Sequence, residues 1–285
     1  MEKTALITGA SSGIGLLTSV VLAKRGWRVL ATMRDLSKRD KLESAAKDAG
    51  VLERIEVHAL DVTNAEQIAA LAGLIGERKS PLHALINNAG FVMSGFAENV
   101  SDAELRRQFD TNFFGTAALT RALLPIFKRQ TFGHIVMISS ISGRVGFPGV
   151  GSYSASKFAL EGWTETLRLE LKPMGIHVVL VEPGAFETDI WTRNALVSEQ
   201  TRALVADPQS PEGARIVRWR KKLDPRKKRS DPQLVAEFVA GILRSSNPRL
   251  RYSFGMDAWA ALVMRTMLPW SWFERMLIKS SGIEG

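Results

Sequence analysis

Ala5-Leu6-Ile7-Thr8-Gly9-Ala10-Ser11-Ser12-Gly13-Ile14-Gly15 is the stretch on which the reading of this chain turns. Three apolar residues make a buried strand. The glycine-rich segment makes a tight turn, and Leu16 to Lys24 continue as a helix. Each glycine has its own physical task. Gly9 permits the sharp turn, Gly13 lets the main chain approach a pyrophosphate, and Gly15 lets the helix pack closely. The helix N-terminus supplies N–H donors and the positive end of its dipole, so Ser11, Ser12 and Ile14 belong to the same phosphate cradle. The spacing is G-x-x-x-G-x-G, a variant of the general dinucleotide fingerprint.

Outward from that turn the strand–helix rhythm repeats. The patterning predicts strands near 3–8, 27–33, 54–60, 82–87, 133–139, 176–182 and 250–254. It predicts helices near 13–25, 37–49, 64–79, 101–129, 151–173 and 231–245. Runs such as Ala84-Leu85-Ile86 and His177-Val178-Val179-Leu180-Val181 are apolar on both faces, as in a parallel sheet covered from both sides. The expected fold is therefore α/β: a Rossmann-type doubly wound parallel sheet of about seven strands with helices on both faces. Ligands belong at the carboxyl ends of its strands.

Residues 1–255 form one dinucleotide-binding and catalytic domain in this reading. Residues 185–230, with Pro208, Pro211 and Pro225, are long for a connection and are expected to be a substrate lid insertion. Residues 256–285 are an apolar helical extension carrying Trp259, Trp270, Trp272 and Phe273. Pro269 splits it, and Asp257, Arg265, Glu274 and Arg275 interrupt it. It makes a poor membrane span and a better pair of short amphipathic helices. Three places are open to that pair: over the substrate entrance, at a subunit interface, or as a peripheral contact on a membrane surface.

The chemistry sits in Tyr153-Ser154-Ala155-Ser156-Lys157. A tyrosine and a lysine four residues apart share one helix face. The ammonium there is expected to draw the phenol's pKa down from about 10, making Tyr153 a usable general acid/base for a carbonyl or alcohol. Ser140 lies thirteen residues upstream, where its hydroxyl can hold the reacting oxygen, and Asn112 lies further upstream. After the second strand comes Arg34, whose guanidinium fork suits a 2′-phosphate. Asp35 follows and offers a competing ribose acceptor. The balance favours NADP(H) over NAD(H). Asn88, Ala89 and Gly90 end the fourth strand, where small residues permit close main-chain approach; Asn88 can equally tie strands together. Pro183-Gly184 and Thr188 follow the sixth strand, within reach of a nicotinamide carboxamide.

These motifs, in this order, resemble the short-chain dehydrogenase/reductase family over about residues 3–255, and Thr8–Gly15, Leu60-Asp61-Val62, Asn87-Asn88-Ala89-Gly90, Asn112, Ile138-Ser139-Ser140, Tyr153–Lys157 and Pro183-Gly184 with Thr188 carry the likeness. Ala31–Asp35 and Ser156–Gly162 are similar to its hydroxysteroid and retinol dehydrogenase branch. The resemblance implies a nicotinamide-dependent oxidoreductase. Asp61 and Val62 would meet the adenine, Lys157 would grip the nicotinamide ribose, and Asn112 would hold a water of a proton relay. Asn112, Ser140, Tyr153 and Lys157 are thus the expected catalytic set. A non-catalytic NADP(H)-sensing or scaffold protein on the same fold is the alternative, and the intact set speaks against it.

The expected substrate is a bulky apolar carbonyl or alcohol, steroid-, retinoid- or lipid-like, facing Ser142, Val145, Phe147, Phe186 and Trp191; ordinary core packing explains the same residues as well. The 285 residues include no cysteine and four scattered histidines, so no metal site is expected. Arg215 to Arg229 hold nine basic residues against Asp224, a local +8 of the chain's net +9. The charge is a local run rather than a general field. Only Trp219 interleaves it, which argues against a nucleic-acid partner and for a solvated lid surface. The first strand begins near the first residue, leaving no room for a signal sequence, and a cytoplasmic location is expected. A homodimer or homotetramer is expected through the helices near 101–129 and 151–173.

Overall fold

A computed structural model describes residues 2–188, 195–222 and 230–284. Its first half alternates without interruption: β1 (Thr4–Ile7), α1 (Gly13–Lys24), β2 (Arg28–Met33), α2 (Asp40–Asp48), β3 (Ile55–Ala59), α3 (Ala65–Glu77) and β4 (Leu82–Asn87). A short β5 (Val92–Ser94) leads to α4 (Asp102–Phe109), α5 (Thr116–Gln130), β6 (Gly133–Ile138), α6 (Gly151–Leu171) and β7 (Ile176–Pro183). The last part holds β8 (Ala195–Val197), α7 (Glu199–Ala206), α8 (Pro211–Lys222), α9 (Gln233–Ile242), β9 (Arg251–Phe254), α10 (Met256–Met267) and α11 (Trp270–Ser281).

Seven strands pair in the order β3-β2-β1-β4-β6-β7-β9, all parallel. Alternate side chains feed two apolar layers, because successive residues of a strand point to opposite faces. Ala5, Ile7, Ala84, Ile86, Val136, Ile138, Val179 and Val181 pack with Val21, Leu22, Leu42 and Val239 of α1, α2 and α9. Leu6, Leu85, Ile135, Met137, Val178 and Leu180 pack with Ile68, Leu119, Leu123, Phe127, Leu160 and Leu167 of α3, α5 and α6. The sheet is thus covered on both faces, as the two-sided apolar runs require. Strand order reverses between β1 and β4, and the crevice at their carboxyl ends is where a doubly wound sheet receives a ligand.

The long helix expected over 101–129 is broken into three. Asp110–Gly115 form a π-helical turn between α4 and α5. Two contacts impose it. A Cβ at Gly115 would meet the Val62 carbonyl carbon at 2.8 Å, so the helix crosses that turn at main-chain distance. Asn112, one turn before, is held by the main chain of Phe91.

Among the described residues, the insertion over 185–230 holds β8, α7 and α8, and β8 pairs with β5 in a separate two-stranded ribbon. Trp219 of α8 is buried beside Phe96, their ring centroids 5.3 Å apart, and its N–H donates to the Pro148 carbonyl at 3.1 Å. The α8 segment of the basic run is therefore anchored, not merely a solvated surface.

Candidate active site

The strand ends open on a cleft of about 640 Å³. Gly9, Ser11, Ser12, Gly13 and Ile14 form one wall, with Arg34, Asp61, Val62, Asn88, Ala89 and Gly90 beyond them. Ser140, Tyr153, Lys157, Pro183, Gly184, Phe186 and Thr188 line the other end. Gly9 has φ +67°, and a Cβ there would stand 2.9 Å from the Ala89 Cα. Gly13 has φ +55°, a conformation L side chains rarely adopt. The first turn of α1 carries no acidic residue and no side-chain cap, so its positive end faces the cleft without internal competition. The cradle fits a dinucleotide phosphate.

Asn88 does the tying work that was one of its two expected roles. Its Nδ2 donates to the Thr8 and Gly9 carbonyls at 2.9 and 3.1 Å. Thr8 Oγ1 in turn accepts from the Asn88 and Ala89 N–H groups, both at 2.9 Å. The ends of β1 and β4 are locked together by these bonds. Gly15 packs under this lock and does not line the cleft; a Cβ there would collide with the Asn88 amide and the Gly9 carbonyl.

At the end of β2, Arg34 is exposed on the cleft wall and makes no hydrogen bond to any described residue. Asp35 is exposed on the same wall, but its carboxyl is engaged by a neighbour. Its Oδ1 accepts from the Ser37 N–H at 3.0 Å and from the Ser37 hydroxyl at 2.7 Å. Those bonds hold its carboxyl below the usual range. The competing acceptor is thus engaged locally.

At the other end, α6 presents Tyr153 and Lys157, both buried. Burial pushes the Tyr153 phenol up to about 12, and a hydrogen bond with Ser140 pulls partly the other way. The sequence predicts the opposite direction, through the neighbouring ammonium. The difference has a physical reason. Lys157 Nζ stands 5.8 Å from the Tyr153 ring centre and donates to the Ile138 carbonyl at 2.7 Å, while desolvation of the phenolate dominates. Burial likewise pushes Lys157 down to about 8. Ser140 Oγ accepts from the Ser142 N–H at 3.1 Å, which fixes the hydroxyl toward Tyr153.

Asn112 is buried and does not line the cleft. Its Oδ1 accepts from Phe91 N–H at 3.1 Å, and its Nδ2 donates to the Phe91 carbonyl at 3.0 Å and to Ser156 Oγ at 3.3 Å. It clamps the segment after β4 to the helix that carries Tyr153.

A glycine cradle and a buried tyrosine and lysine beside Ser140 line one cleft at the strand ends of a doubly wound sheet. A short chain dehydrogenase family model matches residues 3–197. The chain belongs to the short-chain dehydrogenase family, and it is an oxidoreductase of that family. It is 37% identical over 281 residues to an uncharacterized oxidoreductase, YusZ, of Bacillus subtilis, covering 98% of both chains. It is 37% identical over 258 residues to human retinol dehydrogenase 8, covering 87% of this chain and 80% of that one. Among solved structures, ElxO with NADP bound superposes with a TM-score of 0.71 at 26% identity, over 89% of this chain and 97% of that one.

Of the expected substrate-facing residues of this dehydrogenase, Phe186 lines the cleft. Ser142 and Val145 are buried and turn away from it; Val145 packs with Ile141, Ala258 and Phe273. Phe147 bridges that cluster and the Val92–Val150–Tyr153 cluster. Trp191 lies outside the described residues. Phe91 lines the cleft as well; Arg107, Thr111 and Leu196 also line it and were not among the expected set. Arg107 lies 5.7 Å from the Phe91 ring centre. Only its place one turn before Thr111 on a helix facing the site could have pointed to it.

Proposed function

We propose that this oxidoreductase is NADP(H)-dependent and interconverts a carbonyl and a secondary alcohol on a bulky apolar substrate of steroid, retinoid or lipid type. One observation carries the reaction: the hydrogen-bonded Ser140–Tyr153 pair beside Lys157, at the end of the cleft opposite Arg34. The open guanidinium of Arg34 supports the 2′-phosphorylated cofactor, and the Asp35 carboxyl on the same wall is engaged by Ser37. The NADP named with ElxO and the retinol named with the human relative point the same way.

NADP(H), when bound, supplies or accepts the hydride. The chain does the rest. In reduction, Tyr153 gives its phenolic proton to the carbonyl oxygen, and its raised pKa keeps that proton in place at neutral pH. The Ser140 hydroxyl donates to the same oxygen and stabilises the charge that grows there. Lys157 stays largely protonated near neutrality, held by the Ile138 carbonyl, and would grip the nicotinamide ribose. Asn112, whose side-chain amide is bonded to Phe91 and Ser156, would hold a water of the proton relay that links Lys157 to solvent.

The protein forms a homodimer or homotetramer through α4–α6. Leu119, Leu123 and Leu167 face the sheet, but Phe114, Phe158 and Leu169 remain exposed on these helices. Light scattering at micromolar concentration is the check, and a monomer rejects it.

The reaction is tested by Tyr153→Phe, followed at the absorbance of reduced nicotinamide over a panel of ketones and aldehydes. Turnover should fall at least 10²-fold, about the worth of general acid catalysis, with NADP(H) binding retained. A variant that keeps most of its kcat overturns the assignment. Arg34→Asp should reverse the preference in kcat/KM toward NAD(H). A wild type that already prefers NAD(H) overturns the cofactor reading alone.

A further inference from the structure

The two C-terminal helices carry apolar side chains on their outer side as well as their inner one. Their inner faces pack on the loop after Ser140: Ala258 and Phe273 are buried against Ile141 and Val145. Their outer face is also apolar. Met256 is 86% exposed, Trp259 65% and Met267 76%, with Val263 between them. At 100° per residue these four fall within about 80° of arc, and the charged Asp257 and Arg265 lie off that arc. Trp270 and Trp272 at the start of α11 are also exposed, 56% and 64%, and the Arg265 guanidinium lies over the Trp270 ring.

A patch of this kind calls for an occupant, and the charge beside it says which. The last turn of α8 carries Arg220, Lys221 and Lys222, and α8 packs against the far end of α11. A Cβ at Gly282, just past α11, would stand 3.0 Å from Lys222 Cγ. Arg275 and Lys279 are exposed on α11 itself. A second copy of the chain would bring the same positive cluster against this one, since a two-fold interface pairs like surfaces. An anionic surface satisfies both the apolar face and the basic end. Tryptophan suits the boundary, with an apolar ring and a polar N–H. Among the described residues no helix is long and apolar enough to cross a membrane, so the helices lie in the interface rather than span it.

We propose that α10 and α11 dock this protein on the surface of an anionic phospholipid bilayer, with the exposed Trp–Met face in the headgroup boundary and the end of α8 on the headgroups. The roof over the loop after Ser140 is then also the membrane-facing element.

The test uses the full chain with unilamellar vesicles of phosphatidylcholine, alone and mixed with phosphatidylglycerol. Cosedimentation should require the anionic lipid and weaken at high salt, and tryptophan emission should shift to the blue. Trp259→Glu with Met267→Glu should lower partitioning more than tenfold. Lys221→Ala and Lys222→Ala should each lower it about fivefold. All four positions are exposed, so an unchanged melting temperature verifies folding. No cosedimentation overturns the proposal, as does equal, salt-insensitive binding to neutral vesicles. A dimer that Trp259→Glu dissociates, with no lipid binding, assigns the face to a second copy and overturns it too.

Discussion

Replacing Lys157 with methionine separates what the fold wants from what the reaction wants. Methionine keeps an unbranched chain of similar length and removes the charge. Burial lowers the lysine from 10.5 to about 8, so at neutral pH the buried ammonium costs the fold about 3 kcal/mol. Against that, the variant orphans the Ile138 carbonyl, a loss of about 1–3 kcal/mol. The two nearly cancel at neutral pH, and the dependence on pH discriminates. Between about pH 8 and 10.5 the unfolded chain holds the lysine proton and the folded one has released it. The unfolded state binds more protons there, so wild-type stability rises with pH, complete above 10.5 and lost as pH falls through 8. Methionine has no such dependence. From about pH 7 to 9.5 the wild type should gain about 2 kcal/mol on the variant, read from urea unfolding midpoints and slopes at the two pH values. Turnover of the variant should collapse at both. Parallel stability curves would refute the claim that burial depresses this lysine.

Two further outcomes follow from packing. Gly149 has φ +77° and a Cβ there would drive into the Trp219 indole, so Gly149→Ala should lose roughly 1–3 kcal/mol of stability by thermal melting and displace α8. Phe273→Ala should cost about 3–5 kcal/mol and raise KM for bulky ketones more than for small ones, because Phe273 backs the loop after Ser140. Equal changes in KM for both substrate sizes would remove α11 from any part in shaping the pocket.

The seven strands of the large sheet were legible because each is a short apolar run between turn residues, and the observed bounds fall within two residues of the expected ones at either end. The ribbon of β5 and β8 was not. Three residues carry too little alternation to register, and Val92 pairs with Ala195, far along the chain. The π-turn at Asn112 was hidden for another reason. It arises from contacts with Val62 and Phe91, which leave no mark on local periodicity. The glycine cradle and the Tyr153–Lys157 pair could be read from spacing, since each depends on a fixed offset along one element; Ser140, on a different element, was reached through the family resemblance. The direction of the Tyr153 shift could not, because an i,i+4 spacing reports proximity and says nothing of burial. Trp219 looked like one aromatic in a charged run until Gly149 and Phe96 received it.

The strand order has a consequence for a chain that emerges from its N-terminus. β1 lies inside the sheet, β2 and β3 add on one side, and β4, β6, β7 and β9 add in turn on the other. Every new strand joins an existing edge, and none has to insert between two that are already paired. Synthesis and assembly can therefore run in the same direction, with the nucleotide-cradling half built first. The edge open at each stage is a parallel one, apolar on both faces and prone to stray pairing until the next strand covers it. β9 and the two helices that pack on the loop after Ser140 come later along the chain. A nascent chain can thus complete its phosphate cradle well before it has a finished substrate site.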